Sequence, residues 1–147
     1  MSLKQRLADD LKAAMKARDE AALSALRLLK SAITNREIEL KRDVDESELV
    51  KLVEKALKQR RESMEVYRQA GRVELAEREE AEAQVLGRYL PEQLTPEALA
   101  ALIDEALREV NATSPQQMGL AMKAALAKVG ARADGKAVSA LVKQKLS

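Results

Sequence analysis

Gly130-Ala131-Arg132-Ala133-Asp134-Gly135-Lys136-Ala137 matches the first seven positions of a phosphate-binding P-loop. That loop takes a hydroxyl after its lysine to hold magnesium, and it follows a strand. Here position 137 is Ala, the preceding pattern is helical, and Asp134 would set a carboxylate among the amides meant for phosphate. The segment therefore reads as a helix stop, a short turn and a helix start. Asp43-Val44-Asp45-Glu46-Ser47-Glu48 opens like a calcium loop, but Glu48 stands where the sharp turn needs glycine, so a capped helix start is the better reading. Glu79, Glu80 and Glu82 fall within one helical turn. Two-iron carboxylate bundles complete their ligand sets with histidine, and the chain has none. These three read as a solvated acidic face.

The basic residues form two groups. Lys58, Arg60 and Arg61 make the densest cluster, with Arg27 and Lys30 on the preceding helix. Glu54, Glu62 and Glu65 offer ion-pair partners on the same helix, so solvated structural charge is favoured over anion binding there. Near the C-terminus, Lys136 and Lys143 are seven residues apart, opposite Val138, Leu141 and Val142. Lys123 points away from the Met118, Met122 and Leu126 face. Lys145 falls between Leu141 and Leu146 and is expected to lay its stem over apolar surface. Gly119 inside a helix costs about 1 kcal/mol relative to Ala. Close approach of another helix, or of a ligand backbone, would account for it.

These residues need helices to position them. Ala, Leu, Glu, Lys, Arg and Gln dominate, aromatics are limited to Tyr67 and Tyr89, and strand-favouring residues are scarce. The expected fold is all-α: a four-helix N-terminal module over residues 1–90, then a small three-helix module over 91–147. Helices are predicted over 3–16, about 20–41, from Asp45 to Gly71, and about 73–89. Asp19 caps the second, and Asp45 with Glu48 makes a capping box for the third. Tyr89-Leu90-Pro91-Glu92-Gln93-Leu94-Thr95-Pro96 carries two of the three prolines and marks the joint. Thr95-Pro96, Ser114-Pro115 and Asp134 start the last three helices. In the middle one Met118, Met122, Ala125, Leu126 and Val129 face inward, and Gly130 ends it.

The 147 residues hold neither Cys nor His, which removes disulfides, thiol nucleophiles, imidazole catalysis and the usual zinc ligands. No cofactor and no metal are expected. The N-terminal residues are charged throughout, without the apolar run of a signal peptide, and no stretch suits a bilayer. A cytoplasmic location is the default expectation. Net charge is only +2, but residues 91–110 carry net −4 and residues 111–147 net +5, an asymmetry that points weakly to an anionic partner.

The strings YLPEQL (89–94), SPQQMGLAMKA (114–124) and GARADGKAVSALVKQKL (130–146) resemble the YqeY-like proteins, as do LKQRLADDLKAAMKARD and LKQRRES in the first half. The C-terminal half is similar to the tail domain of the B subunit of the aspartyl/glutamyl-tRNA amidotransferase. A related module is attached to some glutaminyl-tRNA synthetases. The resemblance implies a four-helix domain followed by three helices, and a tRNA-contacting tail whose partner subunits perform the chemistry. It ties the chain to carbon–nitrogen ligases with glutamine as amido-nitrogen donor by association alone. The expectation is a tRNA-associated accessory protein without catalytic residues of its own. Lys123, Arg132, Lys136 and Lys143 would meet backbone phosphates, with Gly119 and Gly135 permitting close approach. The alternatives are a protein-interaction module, docking on a synthetase or amidotransferase assembly, and an accessory subunit of such a ligase.

Overall fold

A computed structural model describes residues 2–147. The described residues form seven α-helices and two single 3₁₀ turns, with no strand among them. They divide into two compact units, Met1–Leu90 and Pro91–Ser147. Among the described residues no helix is long and apolar enough to cross a membrane.

The first unit contains α1 (Leu3–Ala17), α2 (Glu20–Leu40), α3 (Glu46–Gln69) and α4 (Val73–Gly87). Its core is Leu7, Leu26, Leu29, Ile33, Leu49, Val53, Leu57, Val85, Leu86 and Tyr89, eked out with alanines. Such side chains bury little area each, at about 25 cal/mol per Å2, so polar contacts at the helix ends matter for register. Glu37 is the busiest of them. Its carboxylate takes Lys4 Nζ at 2.7 Å and the Val44 amide at 3.0 Å, tying α2 to α1 and to the loop before α3. These contacts, Lys4 first, pull its pKa below the usual carboxylate value. Glu46 accepts from the Leu3 amide at 3.0 Å, joining the starts of α1 and α3. Tyr89 anchors the far end: its hydroxyl donates to Asp10 at 2.5 Å, and the Arg6 guanidinium lies 4.8 Å from its ring centre. Burial first, then the bond to Asp10, drives the phenol's pKa upward.

Helix ends follow local chemistry. Asp19 accepts from the Ala22 amide, and the Asp45–Glu48 capping box is complete in both directions. Arg18 and Lys41 end α1 and α2 in the left-handed region, a role usually given to glycine. The expected fourth helix is two residues shorter than the sequence suggests: past Gly87 the chain turns, and Tyr89 enters the core from that turn.

The second unit contains α5 (Pro96–Glu109), α6 (Met118–Val129) and α7 (Gly135–Leu146), with 3₁₀ turns at Pro115–Gln117 and Gly130–Arg132. Thr95 accepts from the Ala98 amide, and Pro96 opens α5. Ser114 starts a 3₁₀ turn before the α-helix begins at Met118, and Gln117 Oε1 accepts the Thr113 and Ser114 amides at 2.8 and 3.2 Å. Ile103, Ala121, Ala125, Val138 and Val142 are fully enclosed. Leu126, expected inside, is 43% exposed, and Ala121 takes its place in the core. Both positions lie at the margins of the α6 stripe. The alanine lets a neighbouring helix close in where leucine would hold it off.

Glu48 gives this fold a pH signature. Arg42, 2.8 Å away, and then the Asp45 amide hold its pKa at about 2, against 4.5 ordinarily. A lowered folded-state pKa means the contribution is intact above pH 4.5 and is lost as pH falls toward 2. In Glu48→Gln, which can still cap but carries no charge, the urea midpoint should fall at pH 7 and converge with the parent's across that acid window. A midpoint difference that ignores pH would contradict this.

Candidate nucleic-acid interface

The last unit sorts its lysines by partner. Lys128 on α6 pairs with Glu109 and, at 3.4 Å, with Glu105, both on α5. Hydrogen bonding to Glu109 chiefly raises its pKa above the lysine norm. Lys145 on α7 reaches Asp104 of α5 at 2.6 Å with its side chain only 22% exposed. Three acids of α5 therefore consume two of the unit's basic side chains.

Arg132 is consumed differently. Its guanidinium donates to the Lys128 and Val129 carbonyls at 2.8 and 3.2 Å, closing the end of α6. These are carbonyls that a helix terminus leaves without intrahelical partners. Arg132 is half-buried, and its first duty is to cap, not to meet solvent. Lys123, Lys136 and Lys143, on α6 and α7, are all exposed, as is Arg108 on α5.

The P-loop likeness dissolves in the same turn. The Ala131 carbonyl accepts Gln93 Nε2 at 2.9 Å, and the Arg132 carbonyl accepts the Leu94 amide at 2.8 Å. Gln93 and Leu94 of the 89–94 string are thus the residues that dock on the 130–132 turn, a partnership that neither motif discloses alone. Asp134 caps α7 by accepting from the Lys136 amide at 3.3 Å, filling the helix N-terminus with a carboxylate. Gly135 is open, with nothing within 4 Å of where a Cβ would stand, but the amides beside it already face an anion.

Gly119 is also open on every side within 4 Å. Close helix approach, one of the two expected reasons for it, does not apply. Met118 and Met122 are half-buried against the core.

The N-terminal basic cluster does not converge. Lys30 lines a groove between α1 and α2, whereas Arg60 lines a separate groove between α2 and α3. Arg60 Nε sits 3.1 Å from Glu79 Oε2, close enough to attract as charges but off the line of a hydrogen bond. Arg27 and Lys58 are exposed, and Arg61 is half-buried. The acidic face expected opposite is solvated only at Glu80. Glu82 is 8% exposed with one carboxylate oxygen lacking a hydrogen-bond partner among the described residues, and burial, helped by the charge of Glu82 and opposed by Arg60, raises the Glu79 pKa. Contact between α3 and α4 buries what helix spacing alone would leave wet. Among the described residues no group of acids is arranged to hold a metal ion.

A model of the family described as Yqey-like protein matches residues 4–146. The chain is 34% identical to the altered inheritance of mitochondria protein 41 of Lachancea thermotolerans, over 93% of this chain and 75% of that protein. It is 34% identical to the protein of the same name from Eremothecium gossypii over 73% and 60% of the two lengths. For the Saccharomyces cerevisiae protein the figures are 36% identity over 57% and 46%. The chain thus spans from about half to three quarters of the length of these relatives. It belongs to the YqeY-like family. The default cytoplasmic placement is overturned by the relatives, which are named as mitochondrial proteins. Mitochondrial addresses are amphipathic and arginine-rich, so lack of an apolar leader does not speak against them.

Gly119→Ala separates folding from binding. With open space around the site, the added methyl should raise stability by up to about 1 kcal/mol in urea unfolding. A loss of stability would show that the glycine serves the fold instead.

Proposed function

We propose that this protein is a tRNA-associated accessory factor whose C-terminal unit holds an RNA phosphate backbone against the outer faces of α6 and α7. The observation that carries this reading is the division of charge just described. The acids of α5 engage Lys128 and Lys145, so on α6 and α7 the exposed basic side chains are Lys123, Lys136 and Lys143. The likeness of residues 89–146 to the amidotransferase tail supplies the kind of RNA. Gly119, open beside Lys123 along α6, leaves room for a backbone to come close. Gly135 contributes space but not amides, and Arg132 positions the turn between the two helices.

With only two tyrosines, one of them buried, base stacking has few platforms, so recognition is by shape and phosphate. No residue is assigned a catalytic role. Any amide-transfer chemistry would come from a partner assembly, and the chain would contribute the tRNA contact.

About three phosphate contacts give a log–log salt slope of roughly −2 to −3, so affinity for tRNA should drop about tenfold or more between 50 and 200 mM salt. Lys136→Glu with Lys143→Glu should abolish most binding. Lys143→Gln should weaken it, whereas Lys145→Gln, which removes an equal charge already held by Asp104, should change it less than about twofold. A flat salt response, or equal losses at positions 143 and 145, would refute the assignment. Glutamine-dependent amidation by the purified chain alone would refute the accessory role.

A further inference from the structure

The N-terminal unit carries a groove of about 550 Å3 between α1 and α2, separate from the C-terminal surface proposed for RNA. Its floor is apolar: Leu7, Leu11, Leu26 and Ile33. On α1 the lining runs from Lys4 to Met15 along a single helical face, and on α2 from Leu26 to Glu37. Eleven residues of rise make each edge roughly 16 Å long, which is three turns of a helix. Another groove, of about 490 Å3 between α2 and α3, has two of its three cations engaged, with Lys55 as the third. Arg36 holds Glu39 at 2.9 Å and Arg60 holds Glu79 at 3.1 Å.

The rim of the α1–α2 groove is different. Lys4 is taken by Glu37, and that pair closes one end. Lys12 and Lys30, one on each edge, are exposed and have no ion pair among the described residues. An apolar floor three turns long, bordered on both sides by unpaired cations, is complementary to a helix with an apolar stripe flanked by carboxylates. Met15, 54% exposed at the open end, is an adaptable side chain of the kind that conforms to an incoming apolar surface.

We infer that the α1–α2 groove docks an acidic amphipathic helix of a partner protein, with Lys12 and Lys30 pairing the carboxylates that border its apolar stripe. The site makes the protein two-handed: one unit for the nucleic acid, the other for a protein. It stands or falls independently of the RNA reading.

The probe is a synthetic helical peptide of about four turns, with leucine at i, i+3, i+4 and i+7 and glutamate along both borders. A second peptide keeps the leucines and carries lysine at the borders. Binding to the full chain is followed by fluorescence anisotropy, and the contact face by amide chemical shifts. The glutamate peptide should bind, shifting residues of α1 and α2 around Leu11 and Ile33. Lys12→Glu with Lys30→Glu should weaken it about tenfold and reverse the preference toward the lysine peptide, with the helical circular dichroism unchanged. Met15→Ala, an exposed change, should weaken both peptides alike. Equal affinity for the two peptides, shifts outside α1 and α2, or a groove already filled by a second copy in sedimentation would each overturn the proposal.

Discussion

Asp104, Glu105 and Glu109 draw Lys128 and Lys145 out of the basic population of the C-terminal unit, and the character of its outer surface depends on that subtraction. Exposed pairs of this kind contribute little to stability. Their larger effect is on direction. The lysines nearest α5 are turned toward it, and positive charge is left on the sides of α6 and α7 that α5 does not reach. Arg132 completes the pattern by spending its guanidinium on the last carbonyls of α6. A net charge of +5 over residues 111–147 overstates what a ligand would meet.

The N-terminal unit solves a different problem. Alanine and leucine give it a thin core, and single polar groups hold its helices in register. Glu37 joins α1, α2 and the following loop, while Tyr89, with Asp10 and Arg6, ties the end of the unit back to α1. Thin cores also leave grooves between helices. The one between α1 and α2 keeps its apolar floor because no other helix of its unit lines it, and the one acid in its lining, Glu37, is committed to Lys4 and Val44.

Much of this was legible from residues. Helix starts at Asp19, Asp45, Thr95 and Asp134 depend on one side chain and an amide two or three residues on, so local chemistry decides them. The all-helical class followed from composition. What stayed hidden depends on partners far along the chain. Leu126 against Ala121 is decided by which helix closes on α6. Glu82 is buried by packing of α4 on other helices, which its spacing within α4 does not reveal, and the Gln93 contact with Ala131 spans 38 positions. The candidate site was legible as a charge pattern. The roles of Arg132 as a cap and of Lys145 as a paired lysine needed coordinates, because a guanidinium's choice between a carbonyl and a phosphate leaves no mark on spacing.

On the proposed reading the exposed lysines of α6 and α7, and not total positive charge, define the RNA-facing surface. Ultraviolet crosslinking in cells, followed by sequencing of the attached RNA and mass spectrometry of the attached peptides, tests it most directly. The account predicts tRNA sequences on peptides containing Lys123, Lys136 or Lys143, and none on the α5 peptide. Crosslinks concentrated on α5 or on the N-terminal helices, or an attached RNA population without tRNA, would contradict it.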